Sequence, residues 1–202
     1  MSVTEVKINN MIRVLFIIGC IALFACNSDY TLKQRGYFKI DFPEHQYRKY
    51  DVPGSPYSFE YPVYGNIVRD TTFFEARPEN DYWINIDFPQ FYGKIYISYK
   101  EVKKHNFDSL VSDAFKMTYK HTTKATEIRD SLMHTTQGHM GVFFRVGGNA
   151  ATAKQFFVTD SVKHFVRGAL YFDASPNSDS LGVVNDFLEQ DMKHLINTLR
   201  LK

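Results

Sequence analysis

Beyond position 26 the chain has no cysteine. Both thiols, Cys20 and Cys26, lie in the leader, which removes disulfides, thiolate metal sites and a cysteine nucleophile from everything downstream. A long hydrophobic run is also lacking. The stretch from Val14 to Ala25 falls short of the roughly 20 residues that a helix needs to cross a hydrocarbon core of about 30 Å. An excess of either charge is missing too: 24 Lys and Arg face 22 Asp and Glu, a net charge of +2. No basic block is dense enough to hold a nucleic-acid backbone, so no nucleic-acid partner is expected. Nor is there an H-E-x-x-H pair of imidazoles on one helical face, or a G-x-S-x-G turn for a serine nucleophile.

What is present begins with Met11 to Cys26, MIRVLFIIGCIALFAC. A basic Arg13, a short apolar run and small residues at its end have the layout of an export signal. Leu23-Phe24-Ala25-Cys26 resembles the bacterial lipobox, although Phe24 is bulkier than the usual residue. The resemblance implies cleavage before Cys26, diacylation of its thiol with fatty acids such as palmitate, and acylation of the new amino terminus. Two or three acyl chains hold a protein firmly to a bilayer, whereas one holds it only marginally. The expected organisation is a signal peptide over 1–25, a lipidated tether over 26–35 and one domain over 36–202, a length that suits a single core. Met11 competes with Met1 as the start, because MSVTEVKINN makes a long and partly polar beginning. No run of acids follows Cys26; such runs resemble a surface-export signal, so the domain is expected to face the periplasm.

From Gly36 the pattern is β. Tyr37–Phe42, Tyr57–Pro62, Val63–Arg69, Tyr82–Phe88 and Lys94–Tyr99 alternate apolar and polar residues, the last two as a hairpin across Gln90–Gly93. The period then changes. Leu110, Val111, Ala114, Met117 and Thr118 recur at helical spacing, with Asn106 or Asp108 as cap, and the spacing predicts a helix over Phe107–Thr123. Strands follow at Glu127–His134, Gly141–Val146, Lys154–Thr159 and Lys163–Phe172, the second and third joined by a Gly147-Gly148-Asn149 hairpin tip. A final helix, capped by Asp179 or Ser180, runs to Leu199 with the stripe Val184, Phe187, Leu188, Asp191, Leu195 and Leu199. Short polar turns favour antiparallel pairing. The expected fold is α+β: a single antiparallel sheet covered by two amphipathic helices.

Candidates for chemistry are few. The seven histidines (His45, His105, His121, His134, His139, His164 and His194) share no metal-ligand spacing, and surface or capping roles are expected. Asp160, Ser161 and His164 have the residue types of a hydrolytic triad, yet they lie on one turn between strands, where an Asx turn is the simpler reading. Asp191 interrupts an apolar stripe. If buried it needs a partner, such as Arg145, Arg167 or a backbone donor; the alternative is an Asp at the stripe's exposed edge. The aromatic share is 16%, with 18 Phe, 13 Tyr and a single Trp. Tyr47, Tyr50, Tyr57, Tyr61, Tyr64, Tyr82 and Tyr92 crowd the first half. Tyr57, Tyr61, Tyr64, Tyr82 and Trp83 are the candidates for a protein-docking patch, since Tyr and Trp anchor interfaces.

One ordered set of segments carries a family resemblance. It runs from the lipobox through Gly36-Tyr37-Phe38-Lys39-Ile40-Asp41-Phe42-Pro43, Phe59-Glu60-Tyr61-Pro62 and Tyr119-Lys120-His121-Thr122. It continues with Gly148-Asn149-Ala150-Ala151-Thr152, Phe157-Val158-Thr159-Asp160-Ser161, the strand His164 to Phe172, Pro176-Asn177 and Asp191-Met192. This resembles the GldD family of gliding-motility lipoproteins of the Bacteroidetes. The ending, a strand, a Pro-Asn turn and a capped helix, also resembles the PsbP-like sandwich. The resemblance implies a non-catalytic envelope lipoprotein required for gliding, acting as a binding or scaffold component beside other gliding lipoproteins and the type IX secretion machinery. It carries no catalytic residue, cofactor or metal; only Cys26 has a role to transfer. The competing readings are a periplasmic hydrolase and a small-ligand or lipid-binding lipoprotein. Intact-mass measurement of the purified protein is expected to give a chain that starts at Cys26 and carries two or three acyl groups, and Cys26→Ser is expected to leave the leader uncleaved.

Overall fold

The computed structural model describes Phe16, Gly36, residues 39–71 and residues 78–202, and one compact unit spans Ile40–Lys202. Apart from Phe16, the leader lies outside the described residues, and so do Cys26 and the rest of the tether. In chain order the elements are β1 (Tyr47–Tyr50), β2 (Tyr57–Pro62), β3 (Asn66–Arg69), β4 (Ile84–Phe88), β5 (Gly93–Glu101), α1 (Phe107–Tyr119), β6 (Ala125–His134), β7 (Met140–Gly148), β8 (Lys154–Thr159), β9 (His164–Phe172), α2 (Ser178–Thr198) and β10 (Arg200–Leu201).

The α+β class holds, but there are two antiparallel sheets where one was expected. The larger has the order β3-β4-β5-β9-β8-β7-β6, and the smaller has β1-β2-β10. The split follows from the chain ends. Arg200 and Leu201 pair with Ser58 and Tyr57, while Tyr47–Tyr50 pairs with the other edge of β2. No local pattern announces β10, which is two residues long. The expected strand at Tyr37–Phe42 is also corrected: the described part, from Lys39 on, has no regular structure, and pairing begins at Tyr47.

The middle of the large sheet is buried on both faces. Along β8, Phe156 and Val158 enter one core while Phe157 enters the other; along β7, Phe143 faces the first and Val142 and Phe144 the second. That is why these strands read as almost continuous apolar runs. The first core holds Ile84, Ile86, Ile95, Ile97 and Leu170 against Val184, Leu188, Met192 and Leu195 of α2, and Tyr57 and Phe59 of β2 belong to it too. The second core packs Leu110 and Ala114 of α1 on Val142, Phe144, Phe157 and Phe165. Gly168 faces the Phe156 ring so closely that a Cβ there would sit inside it, so β9 needs a glycine at this crossing.

Both helices start on an Asn cap. The Asn106 side chain accepts from Ser109 N–H at 3.2 Å. At α2 the cap is Asn177, not Asp179 or Ser180 as expected; its amide oxygen accepts from the N–H of both. Asn177 has extended backbone, which places its side chain below the first turn, and Asp179 then lies in that turn, where the helix dipole favours an acid.

One face of α2 carries a charge cluster. Glu189, buried, accepts a two-pronged bond from Arg145 Nε and Nη2 (3.0 and 2.5 Å), one from Lys154 Nζ at 2.5 Å, and a contact from Lys193 Nζ at 2.7 Å. Burial alone would raise its pKa, but these cations outweigh that and hold it down at about 2. A group whose folded pKa is depressed adds stability above its unfolded value and loses it as pH falls through the folded one. Glu189→Gln is therefore expected to cost about 2 kcal/mol at pH 7, with the difference from the unmutated protein steady down to about pH 4.5 and closing towards pH 2. Urea unfolding across that range measures it.

Candidate functional site

Asp191 lies one helical turn beyond Leu188 on the buried side of α2, and only 1% of its surface is exposed. The reading that places it at the edge of the stripe is overturned, and so are the partners proposed for it. Arg145 is taken by Glu189, and Arg167 donates to Gln155. The donors come from the beginning of the unit. His45 Nδ1 lies 2.7 Å from Asp191 Oδ1, Tyr47 donates its hydroxyl to the same oxygen at 3.0 Å, and Tyr64 donates to Oδ2 at 2.5 Å.

Aromatic stacking locks these donors in place. The His45 ring lies on Phe187 with centroids 4.4 Å apart, and Phe42 stacks on the same Phe187 at 4.4 Å. Tyr47 stacks on His194 at 3.6 Å, and His194 Nε2 in turn meets Glu60 Oε2 at 2.7 Å. Burial, the Asp191 charge and the hydrogen bond to it push the Tyr47 hydroxyl far above its usual pKa; burial, that hydrogen bond and that charge do the same to Tyr64. Both phenols are therefore fixed as neutral donors. Chemically the arrangement is a clamp: one carboxylate gathers an imidazole and two phenols from residues 45–64 and binds them to the last helix.

The five aromatic docking candidates fall in different places. Tyr57 and Tyr61 are buried, Tyr57 completely, with its hydroxyl donating to Tyr82 O at 2.5 Å; a side chain without accessible surface has none to offer a partner. Tyr64 is half-buried and turned to Asp191. Tyr82 and Trp83 are half-buried, the Trp83 indole N–H donating to Tyr99 O at 2.9 Å.

The candidate triad does not assemble. Asp160 Oδ1 accepts from the backbone N–H of Val162, Lys163 and His164, which is the Asx-type turn, and the buried His164 ring faces Tyr99 Oη at 2.9 Å instead. Burial alone would raise the Asp160 pKa, but these backbone bonds lower it. Gly147, Gly148 and Asn149 sit at the β7–β8 hairpin, and Asn149 accepts from Ser178 N–H at 2.9 Å, tying the tip to the start of α2. Among the described residues no three His, Cys, Asp or Glu are grouped to hold a metal, and no helix is long and apolar enough to cross a membrane.

Sequence reasoning missed His45 and Tyr47 as members of the cluster. The available signal was the Asp in an apolar stripe; the partner, 146 positions away for His45, left no trace in spacing. Asp191→Ala is expected to cost about 3 kcal/mol, because three donors lose their acceptor in the interior. Tyr64→Phe alone is expected to cost about 1 kcal/mol, and little when added to Asp191→Ala. A double-mutant cycle in urea measures that coupling.

Comparison with known proteins supplies the family. No curated protein matches. Among solved structures, the chain is similar to the solution structure of cyanobacterial PsbP (CyanoP) from Synechocystis sp. PCC 6803. The identity is 13%, the alignment covers 85% of this chain and 99% of that one, and the TM-score is 0.43; a likeness so faint says nothing about what this chain binds. The family model described as gliding motility lipoprotein GldD matches residues 27–201, nearly everything after Cys26, and the chain belongs to that family.

Proposed function

We propose that the protein is held to an envelope membrane through acylated Cys26, faces the periplasm and serves gliding as a non-catalytic binding or scaffold component. Its proposed partners are other gliding lipoproteins and components of the type IX secretion machinery. The observation that carries the reading is the family match over residues 27–201, whose description names motility and a lipid anchor but no reaction. Two features of the structure support it. The Asp191 clamp fastens residues 42–64, the part of the unit that follows the tether, to its longest helix, so a pull on the anchor would be borne by packed structure. The carboxylate and imidazole that a hydrolase would need at Asp160 and His164 are engaged elsewhere. Tyr82 and Trp83 are the aromatic positions kept in the docking proposal, being neither buried outright nor turned to the clamp.

Purification of the anchored protein in mild detergent, with Cys26→Ser as control, is the test. Envelope proteins of the gliding or secretion apparatus are expected to co-purify with the acylated form and to be lost from the control. Repeated recovery of the chain alone would count against a scaffold. Cells carrying Ser161→Ala and His164→Ala in a stable protein are expected to glide normally, and loss of gliding there would favour the hydrolase.

A further inference from the structure

Among the described residues, Arg167 has no carboxylate partner. It sits in β9, mostly buried between the large sheet and α1, and its one hydrogen bond runs from Nη2 to Gln155 Oε1, a neutral acceptor, at 2.5 Å. No carboxylate among the described residues pairs with it. Arginine is rarely buried without a partner, since removing its charge from water is costly. The neighbouring amide is also short of a partner: Gln155 is 1% exposed, its oxygen is shared by Arg167 and Thr118 Oγ1, and its buried Nε2 has no acceptor.

Beside Arg167 is a space of about 90 Å³. Leu110, Ala114 and Met117 of α1 form one wall, and Phe165 and Trp83 line it from the sheet side. The other charged groups on the wall have partners already: Lys100 Nζ lies 3.4 Å from Glu79 Oε2, and Asp113 Oδ1 lies 3.8 Å from Lys116 Nζ. The guanidinium shares the lining with these two groups, and it is the one whose hydrogen bond goes to a neutral acceptor. A volume of this size has room for several waters, or for a carboxylate with a few carbons behind it.

We propose that this pocket between α1 and the sheet binds a carboxylate attached to a short apolar group, with Arg167 gripping the anion and Leu110, Ala114, Met117 and Phe165 enclosing the carbons. Guanidinium and carboxylate match in planar, two-pronged geometry. The carboxylate has two natural sources, a free short-chain acid or the C-terminal end of a polypeptide. The proposal does not depend on the scaffold reading.

Trp83 is the chain's only tryptophan, so indole emission reports directly on the pocket wall. Full-length protein in phospholipid nanodiscs is titrated with sodium butyrate, with butyramide, with inorganic phosphate, and with a tetrapeptide ending in leucine as free acid and as amide. A saturable change with butyrate and none with butyramide is the expected result, as is a loss of affinity of about tenfold or more in Arg167→Met. Binding of the free-acid peptide but not of its amide assigns the site to a chain end; binding of butyrate alone assigns it to a small acid. Equal responses to butyrate and butyramide, a response to inorganic phosphate with none to butyrate, or an unchanged response in folded Arg167→Met overturns the proposal. The two ligands compared on the unmutated protein decide the matter even where Arg167→Met fails to fold.

Discussion

A carboxylate within the apolar stripe of a helix has to be met by donors, and in this protein they arrive from the opposite end of the folded unit. Asp191 draws His45, Tyr47 and Tyr64 onto α2, and the stacking of Phe42 and His45 on Phe187 closes the apolar side of the same junction. The small sheet repeats the theme with backbone: β2 accepts β1 on one edge and β10, which follows α2 after the single residue Leu199, on the other. First and last segments are thus joined twice, by a buried charge and by strand pairing.

The large sheet explains the rest of the composition. Seven strands offer two faces, and each face in the middle of the sheet is covered by a helix, so phenylalanines alternate into two separate cores. High aromatic content is thereby absorbed by packing more than by interface. Tyr57 and Tyr61 follow the same logic: with Phe59 they share one face of β2, and that face belongs to the first core, so the tyrosines are taken up by packing.

Two further ionic features, on opposite faces of the large sheet, have opposite characters. Glu189 is surrounded by Arg145, Lys154 and Lys193 and is fully compensated. Arg167, on the other face of the sheet, has a neutral amide and an adjoining slot. Compensated buried charges read as structure, since each partner satisfies the other. A half-buried cation beside a cavity is a different case, and it marks the α1 pocket off from the core beneath α2.

Read by itself, the sequence determined the α+β class, both helices of the folded unit and most strand positions, because periodicity, caps and turns are local physics that neighbouring residues impose on one another. The spacing of Leu110, Ala114 and Thr118 could face only one way, and Lys154–Thr159 was bounded by turn residues on either side. The tertiary structure alone decided that β1 and β10 form a second sheet on β2, that Asp191 meets His45 instead of an arginine, and that Arg167 meets a neutral amide and no carboxylate among the described residues. Each of these depends on which distant segment arrives at a given place, and pairing across well over a hundred residues leaves no period for a sequence to display.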